Sequence, residues 1–213
     1  MLRGVVDPTD LPVLELGGYP DADLGGARNS TRSVSGNITG LQGPSTWIAF
    51  EWSSGRQTST ATSTSESELV SMGKLVKTLI PLQHLWTCML GRPLVARVYE
   101  DNQAAIAVAK SGFSIALRRL AKHQRLNLGF LHDCFSQPER CMMTEHIDSE
   151  KQKADILTKA LQRHAFDACL RMIGICSPLP AAAGFTVFTG VATAPRTRKG
   201  PTLGSPRDST QVA

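Results

Sequence analysis

The chain has 213 residues, 41% of them hydrophobic, which is enough to bury one core and excludes a wholly disordered class. Its net charge of +5 suits a polyanionic partner, yet three of those five excess charges fall beyond Ser177, where Arg196, Arg198, Lys199 and Arg207 face only Asp208. No stretch reaches the roughly 18 apolar residues of a membrane span, MLRGVVDPTDLP has no export-signal centre, and the five cysteines lack zinc-ligand spacing; an intracellular setting, cytoplasmic or nuclear, and no membrane partner are expected.

Residues 1–10 read as a flexible N-terminus ahead of a domain over 11–175. Val13 to Tyr19 is predicted as a first strand, followed by the loop PDADLGGARNSTRS. Val34 to Leu41 and Trp47 to Trp52 read as two further strands around the turn Gln42-Gly43-Pro44-Ser45, and the short links suggest an antiparallel meander. In the polar stretch RQTSTATSTSES, Ser65 stands three residues ahead of Glu68, the spacing of a capping box. Apolar residues at 69, 72, 76, 79, 82, 86 and 89 then keep a helical period. Pro81 predicts a kink or break near Leu79-Ile80, since an interior proline costs on the order of 3 kcal/mol.

Leu94 to Tyr99 reads as a strand, and the alanines after Asp101 favour a helix that Ser111-Gly112 stops. A second helix is expected from Ser114 to Cys134, a strand from Cys141 to Ile147, and a last helix from Glu150 to Met172, opened by Ser149 with Gln152 at its third position. From 176 to 213 the proline, glycine, alanine and threonine content predicts a disordered basic tail. The order of elements is that of an α+β domain with a mixed sheet.

Asp21, Glu68, Asp101 and Asp155 stand at element ends or first turns, and carboxylates from separate segments suit paired magnesium ions about 4 Å apart. Asp23 and Glu66 read instead as a solvated loop residue and a helix N-terminal charge. Lys110, Arg118, Arg119, Lys122, His123 and Arg125 form a run free of acids until Asp133, either a solvated helix face or a set of phosphate contacts. His146 reads as structural, and Trp47, Trp52 and Trp86 as core.

GYPDADLGG, STRSVSG, WIAFEWSSGRQ, STSESELVSM, YEDNQAAIAVAK and HIDSEKQKADILTKAL are similar, in this order, to the ribonuclease H domain of copia-type LTR retrotransposon Pol polyproteins. The resemblance runs from about Gly17 to Leu161. It implies a ribonuclease H-like fold, a five-stranded mixed sheet with helices, and hydrolysis of the RNA strand of RNA–DNA hybrids with two Mg²⁺ ions, or Mn²⁺. It also implies the catalytic and metal-binding acids Asp21 in PDAD, Glu68 in SESEL, Asp101 in EDNQ and Asp155 in KADILTK. Arg118, Arg119, Lys122 and Arg125 would contact nucleic acid, and a reverse transcriptase domain of the parent polyprotein would be a partner. Leu24 departs from the tryptophan usual at its place. The alternative expectations are an inactive relic that keeps the fold and weak nucleic-acid binding, and a plain interaction domain.

Overall fold

Stretches rich in β-branched, aromatic and small residues form the antiparallel half of a sheet: β1 (Glu15–Asp23), β2 (Val34–Gln42) and β3 (Trp47–Arg56). β4 (Ala96–Glu100) joins β1 in parallel, and β5 (Met142–His146) joins β4 in parallel, so the order is β3-β2-β1-β4-β5. This five-stranded mixed sheet flanked by helices is the ribonuclease H-like arrangement that the motifs imply. The computed structural model describes residues 2–115 and 122–175, all in one compact unit; the expected tail, 176–213, lies outside the described residues.

Helix α1 (Thr64–Leu90) lies against one face of the sheet, where Leu69, Met72, Leu75, Val76 and Leu79 bury against Leu16, Ala96 and Val98. Burying a side chain of this size contributes about 1.5–3 kcal/mol. Gly18 lets α1 come this close: a Cβ there would stand 2.9 Å from Leu75 Cδ2. Helices α2 (Gln103–Ser111) and α3 (Lys122–Ser136) complete that layer. A smaller core of Tyr19, Ile38, Ala49, Ala154 and Ile173 fills the other face under α4 (Asp155–Thr158) and α5 (Arg163–Met172).

The structure departs from the sequence reading at six places. β1 runs on to Asp23, so Asp21 lies inside a strand rather than in a loop. Its pairing with β4 stops at Gly18, ahead of Pro20, whose ring has no N–H to offer a ladder. The cap of α1 is Ser63, which accepts from the Glu66 N–H, while the Glu66 carboxylate accepts from Thr62 just ahead of the cap; the cap sits two residues earlier than expected and leaves Glu68 free of that duty. Helix α1 passes through Pro81 unbroken, because Lys77 and Pro81 both lie on its exposed side and the carbonyl that loses a partner is on the solvent side.

The expected last helix is three pieces: a 3₁₀ turn Ser149–Lys151, α4 and α5. Packing decides this over propensity, since α4 is pressed onto β2 and the chain turns extended at Lys159. The segment ahead of β1 is pinned rather than loose, with Asp7 capping a 3₁₀ turn over Pro8–Val13 and strand-like bridges from Leu2 to Ile175 and Val5 to Trp47. Trp52 is 56% exposed and not core, while Trp47 and Trp86 pack as expected.

Candidate functional site

Three strands and two helices bring the acids to one end of the sheet. Asp21 is paired in register with Gly36 of β2, and a Cβ on Gly36 would stand 2.7 Å from Thr158 Cγ2 and 2.9 Å from Leu157 Cβ. Only glycine lets α4 sit this low, and that contact carries Asp155 to the side of Asp21. Glu68 enters from the second turn of α1, and Asp101 follows the last residue of β4, where open α/β sheets collect ligands.

Asp21, Glu68 and Asp101 each offer a carboxylate oxygen within 4.8 Å of the others. Asp155 joins them through a cation: Lys159 Nζ lies 3.0 Å from Asp21 Oδ1 and 2.8 Å from Asp155 Oδ1. Thr158 Oγ1 donates to Asp21 Oδ2, and Ser149 Oγ donates to Asp101 Oδ2 at 2.8 Å. Asp21 is fully buried and Glu68 is 3% exposed. Glu68 Oε2 has no hydrogen-bond partner among the described residues. A buried, unpartnered carboxylate oxygen is costly unless a proton or cation satisfies it.

Burial, reinforced by the charges of Glu100, Asp21 and Asp101, pushes the Glu68 carboxyl up to about 10. Burial also lifts Asp155 to about 6, against the hydrogen bond from Lys159. Burial alone would pull the Lys159 ammonium down, yet the Asp155 hydrogen bond and the Asp21 and Asp155 charges hold it above the ordinary lysine value. All three shifts are upward, the carboxyls chiefly through burial and the ammonium through the anions around it.

Glu100 is a member of this site that the sequence alone does not single out. Strand alternation puts it on the face of Ala96 and Val98, it is wholly buried, and its Oε1 accepts the Asn102 N–H at 3.1 Å while Oε2 has no partner among the described residues. Burial drives its carboxyl well upward. Lys159 and Ser149 are likewise additions from the structure. The i,i+4 spacing of Asp155 and Lys159 is readable in sequence, but the contact of Ser149 with Asp101 spans 48 residues and leaves no local signal.

Asp23, at the end of β1, lines with Leu24 and Thr64 a cavity that also holds Glu68, Asp101 and Lys159, and Glu66 serves as the helix N-terminal charge that the sequence predicts. His146 is exposed at the end of β5. Arg118 and Arg119 lie outside the described residues, as do the side chains of Lys122, His123 and Arg125; Lys110 is exposed at the end of α2. A separate cavity between α1 and the starts of β4 and β5, lined by Ile80, His84, Cys88, Leu94 and Cys141, contains none of the four acids. No helix among the described residues is long and apolar enough to cross a membrane.

Sheet order and the placing of acids beside the carboxyl ends of β1 and β4 define a ribonuclease H-like domain. The chain is 26% identical over 166 residues to the Retrovirus-related Pol polyprotein from transposon TNT 1-94 of Nicotiana tabacum, the kind of protein to which the six motifs point. That alignment covers 78% of this chain and 12% of the tobacco polyprotein, so the chain spans a small part of its relative's length. No family model matches.

Among solved structures, the chain is similar to the N-terminal ribonuclease H domain of a Mycobacterium tuberculosis protein solved as a fusion with maltose-binding protein. The TM-score is 0.46 at 13% identity, covering 74% of this chain and 97% of that one. It is also similar to a ribonuclease H1 isolated from compost by a metagenomic approach, with a TM-score of 0.45 at 15% identity over 73% and 98% of the two chains.

Proposed function

We propose that this chain is a divalent-metal-dependent endonuclease domain that hydrolyses the RNA strand of RNA–DNA hybrids, as part of a retrotransposon polyprotein. The observation that carries the reading is the meeting of Asp21, Glu68 and Asp101, drawn from β1, α1 and the end of β4, within 4.8 Å and with one buried oxygen of Glu68 unpartnered among the described residues. An all-carboxylate donor set is hard, which suits Mg²⁺ or Mn²⁺ rather than zinc or copper. Asp21, Glu68 and Asp101 would hold the metal, with Asp155 beside them across Lys159.

Bound divalent ions would supply Lewis-acid stabilisation of the developing phosphate charge and lower the pKa of attacking water. The protein's own contribution is positional. β1 carries Asp21 and the end of β4 delivers Asp101, Ser149 orients the Asp101 carboxylate, and Thr158 with Lys159 orients that of Asp21. Preorganised charge of this kind costs no reorganisation when the reaction occurs. The hybrid would be recognised through its A-like shape and 2′-hydroxyls, because those features distinguish RNA from DNA. The reverse transcriptase domain of the parent polyprotein would be the partner that supplies the hybrid.

The test is cleavage of an end-labelled RNA–DNA hybrid by the full chain with Mg²⁺, with EDTA, and in Asp101→Asn. Cleavage that needs Mg²⁺ and is lost in the variant is expected, with a metal-free melting temperature equal to or above that of the wild type because one of several repelling anions is gone. A folded wild-type chain that cleaves nothing would instead identify an inactive relic, and an Asp101→Asn variant that cleaves normally would remove Asp101 from the site.

A further inference from the structure

β1 and β4 are hydrogen-bonded only from Leu16–Ala96 to Gly18–Val98, and then part. The next residues in register are Tyr19 and Tyr99, whose rings stack at 5.0 Å, and beyond them Pro20 has no N–H with which to continue a ladder. The acids follow just after this opening. Something other than pairing between these two strands has to fix how far apart β1 and the end of β4 stand at the level of Asp21 and Asp101.

Gln152 fills that opening. Its side chain is completely buried. Nε2 donates to the Pro20 carbonyl at 2.8 Å and reaches the Tyr99 carbonyl at a longer 3.5 Å, while Oε1 accepts the Ala154 N–H at 3.3 Å. A primary amide has two N–H groups and an acceptor oxygen, so one side chain can serve two strands and the residue that leads into α4. Each contact lies close to an acid in sequence: Pro20 precedes Asp21, Tyr99 stands two before Asp101, and Ala154 precedes Asp155. The residue sits where the sequence predicts a capping-box partner, but its amide points into the sheet.

We infer that Gln152 is a positioning residue for the metal-binding reading on which this inference rests: its amide replaces the missing β1–β4 ladder and sets the mutual spacing of Asp21, Asp101 and Asp155. It touches neither metal nor substrate and acts through the backbone. Removing it leaves the buried Pro20 carbonyl, the part-buried Tyr99 carbonyl and one N–H to find other partners, and the strands are then free to close or splay at the point where carboxylate separation decides metal affinity. Partners that orient metal ligands typically contribute about 10- to 100-fold to affinity.

The experiment measures Mn²⁺ binding by calorimetry on the full chain, wild type beside Gln152→Met, which keeps the length of the side chain and loses the amide. Each protein is also melted without metal, and binding is measured well below both melting temperatures. The expected result is Mn²⁺ affinity weakened by about tenfold or more in a folded variant. Unchanged affinity with a lowered melting temperature would show a structural role only and overturn the inference, leaving the metal site intact. A wild-type chain that binds no Mn²⁺ would overturn the metal-binding reading itself, and the inference with it.

A second measurement needs no variant that folds. In the wild-type chain the Gln152 side-chain amide protons are expected to exchange with solvent more slowly than those of the exposed Gln162. Equal exchange would overturn the inference.

Discussion

Glu68 and Asp155 carry the clearest electrostatic signature of the site, and its sign is testable. Burial raises Asp155 from an ordinary 3.8 to about 6 and Glu68 from 4.5 to about 10. A carboxyl whose folded value exceeds its unfolded one binds more protons in the native state, so stability is fully present below the unfolded value and is lost as pH rises through the folded one. For Asp155 the window runs from about pH 4 to 6, and for Glu68 the loss continues towards about pH 10. The metal-free domain should therefore melt at falling temperature as pH rises from about 5 to 8, and Mn²⁺ should raise the melting temperature more at the higher pH, because ligands must lose their protons to bind. Calorimetric scans at the two pH values with and without Mn²⁺ check this. Melting temperatures that rise with pH in the absence of metal would contradict the burial of these acids.

At the scale of elements, most of the fold was legible in the sequence. Runs of β-branched and aromatic residues between turn signals located the five strands, a 3.6 period located α1, and the alanines after Asp101 with the stop at Ser111-Gly112 located α2, whose cap at Asn102 only the structure shows. What misled was always a local signal overridden by a distant one. Two overlapping capping-box spacings, Ser63 to Glu66 and Ser65 to Glu68, could not be ranked locally; the fold uses the first and places Glu68 beside Asp21 and Asp101. Likewise nothing between Glu150 and Met172 announces a break, since the cause is the contact of α4 with Gly36, far away in sequence. That contact supports a prediction. Gly36→Ala places a methyl against Thr158, Leu157 and the Ala154 carbonyl, and overpacking of this kind costs about 1–3 kcal/mol. The expected variant is folded but less stable, and because α4 carries Asp155 and leads into Lys159 it should also lose hybrid cleavage beyond the loss of stability. Denaturant unfolding beside cleavage at a temperature where both proteins are folded separates the two effects.

At the scale of the whole molecule, the question is which of its cations meet a polyanion. The body is only mildly basic, since three of the five excess charges lie beyond Ser177, yet Lys110 to Arg125 is an uninterrupted basic run in a chain whose acids otherwise intersperse. Attraction through counterion release scales with the number of cations that replace condensed ions, so neutralising one phosphate-binding cation should lower the slope of log affinity against log salt by about one. Two variants set the body against the tail: one neutralises Arg118, Arg119, Lys122 and Arg125, and the other Arg196, Arg198, Lys199 and Arg207. A hybrid engaged by the body should bind the first variant with a flatter slope, by up to about four, and the second with a slope close to wild type. Binding to an RNA–DNA hybrid in Ca²⁺, measured by anisotropy from about 50 to 200 mM salt, would give both slopes without turnover. Equal flattening in the two variants would assign the attraction to net charge, and flattening in the tail variant alone would make the basic run of the body a solvated helix face.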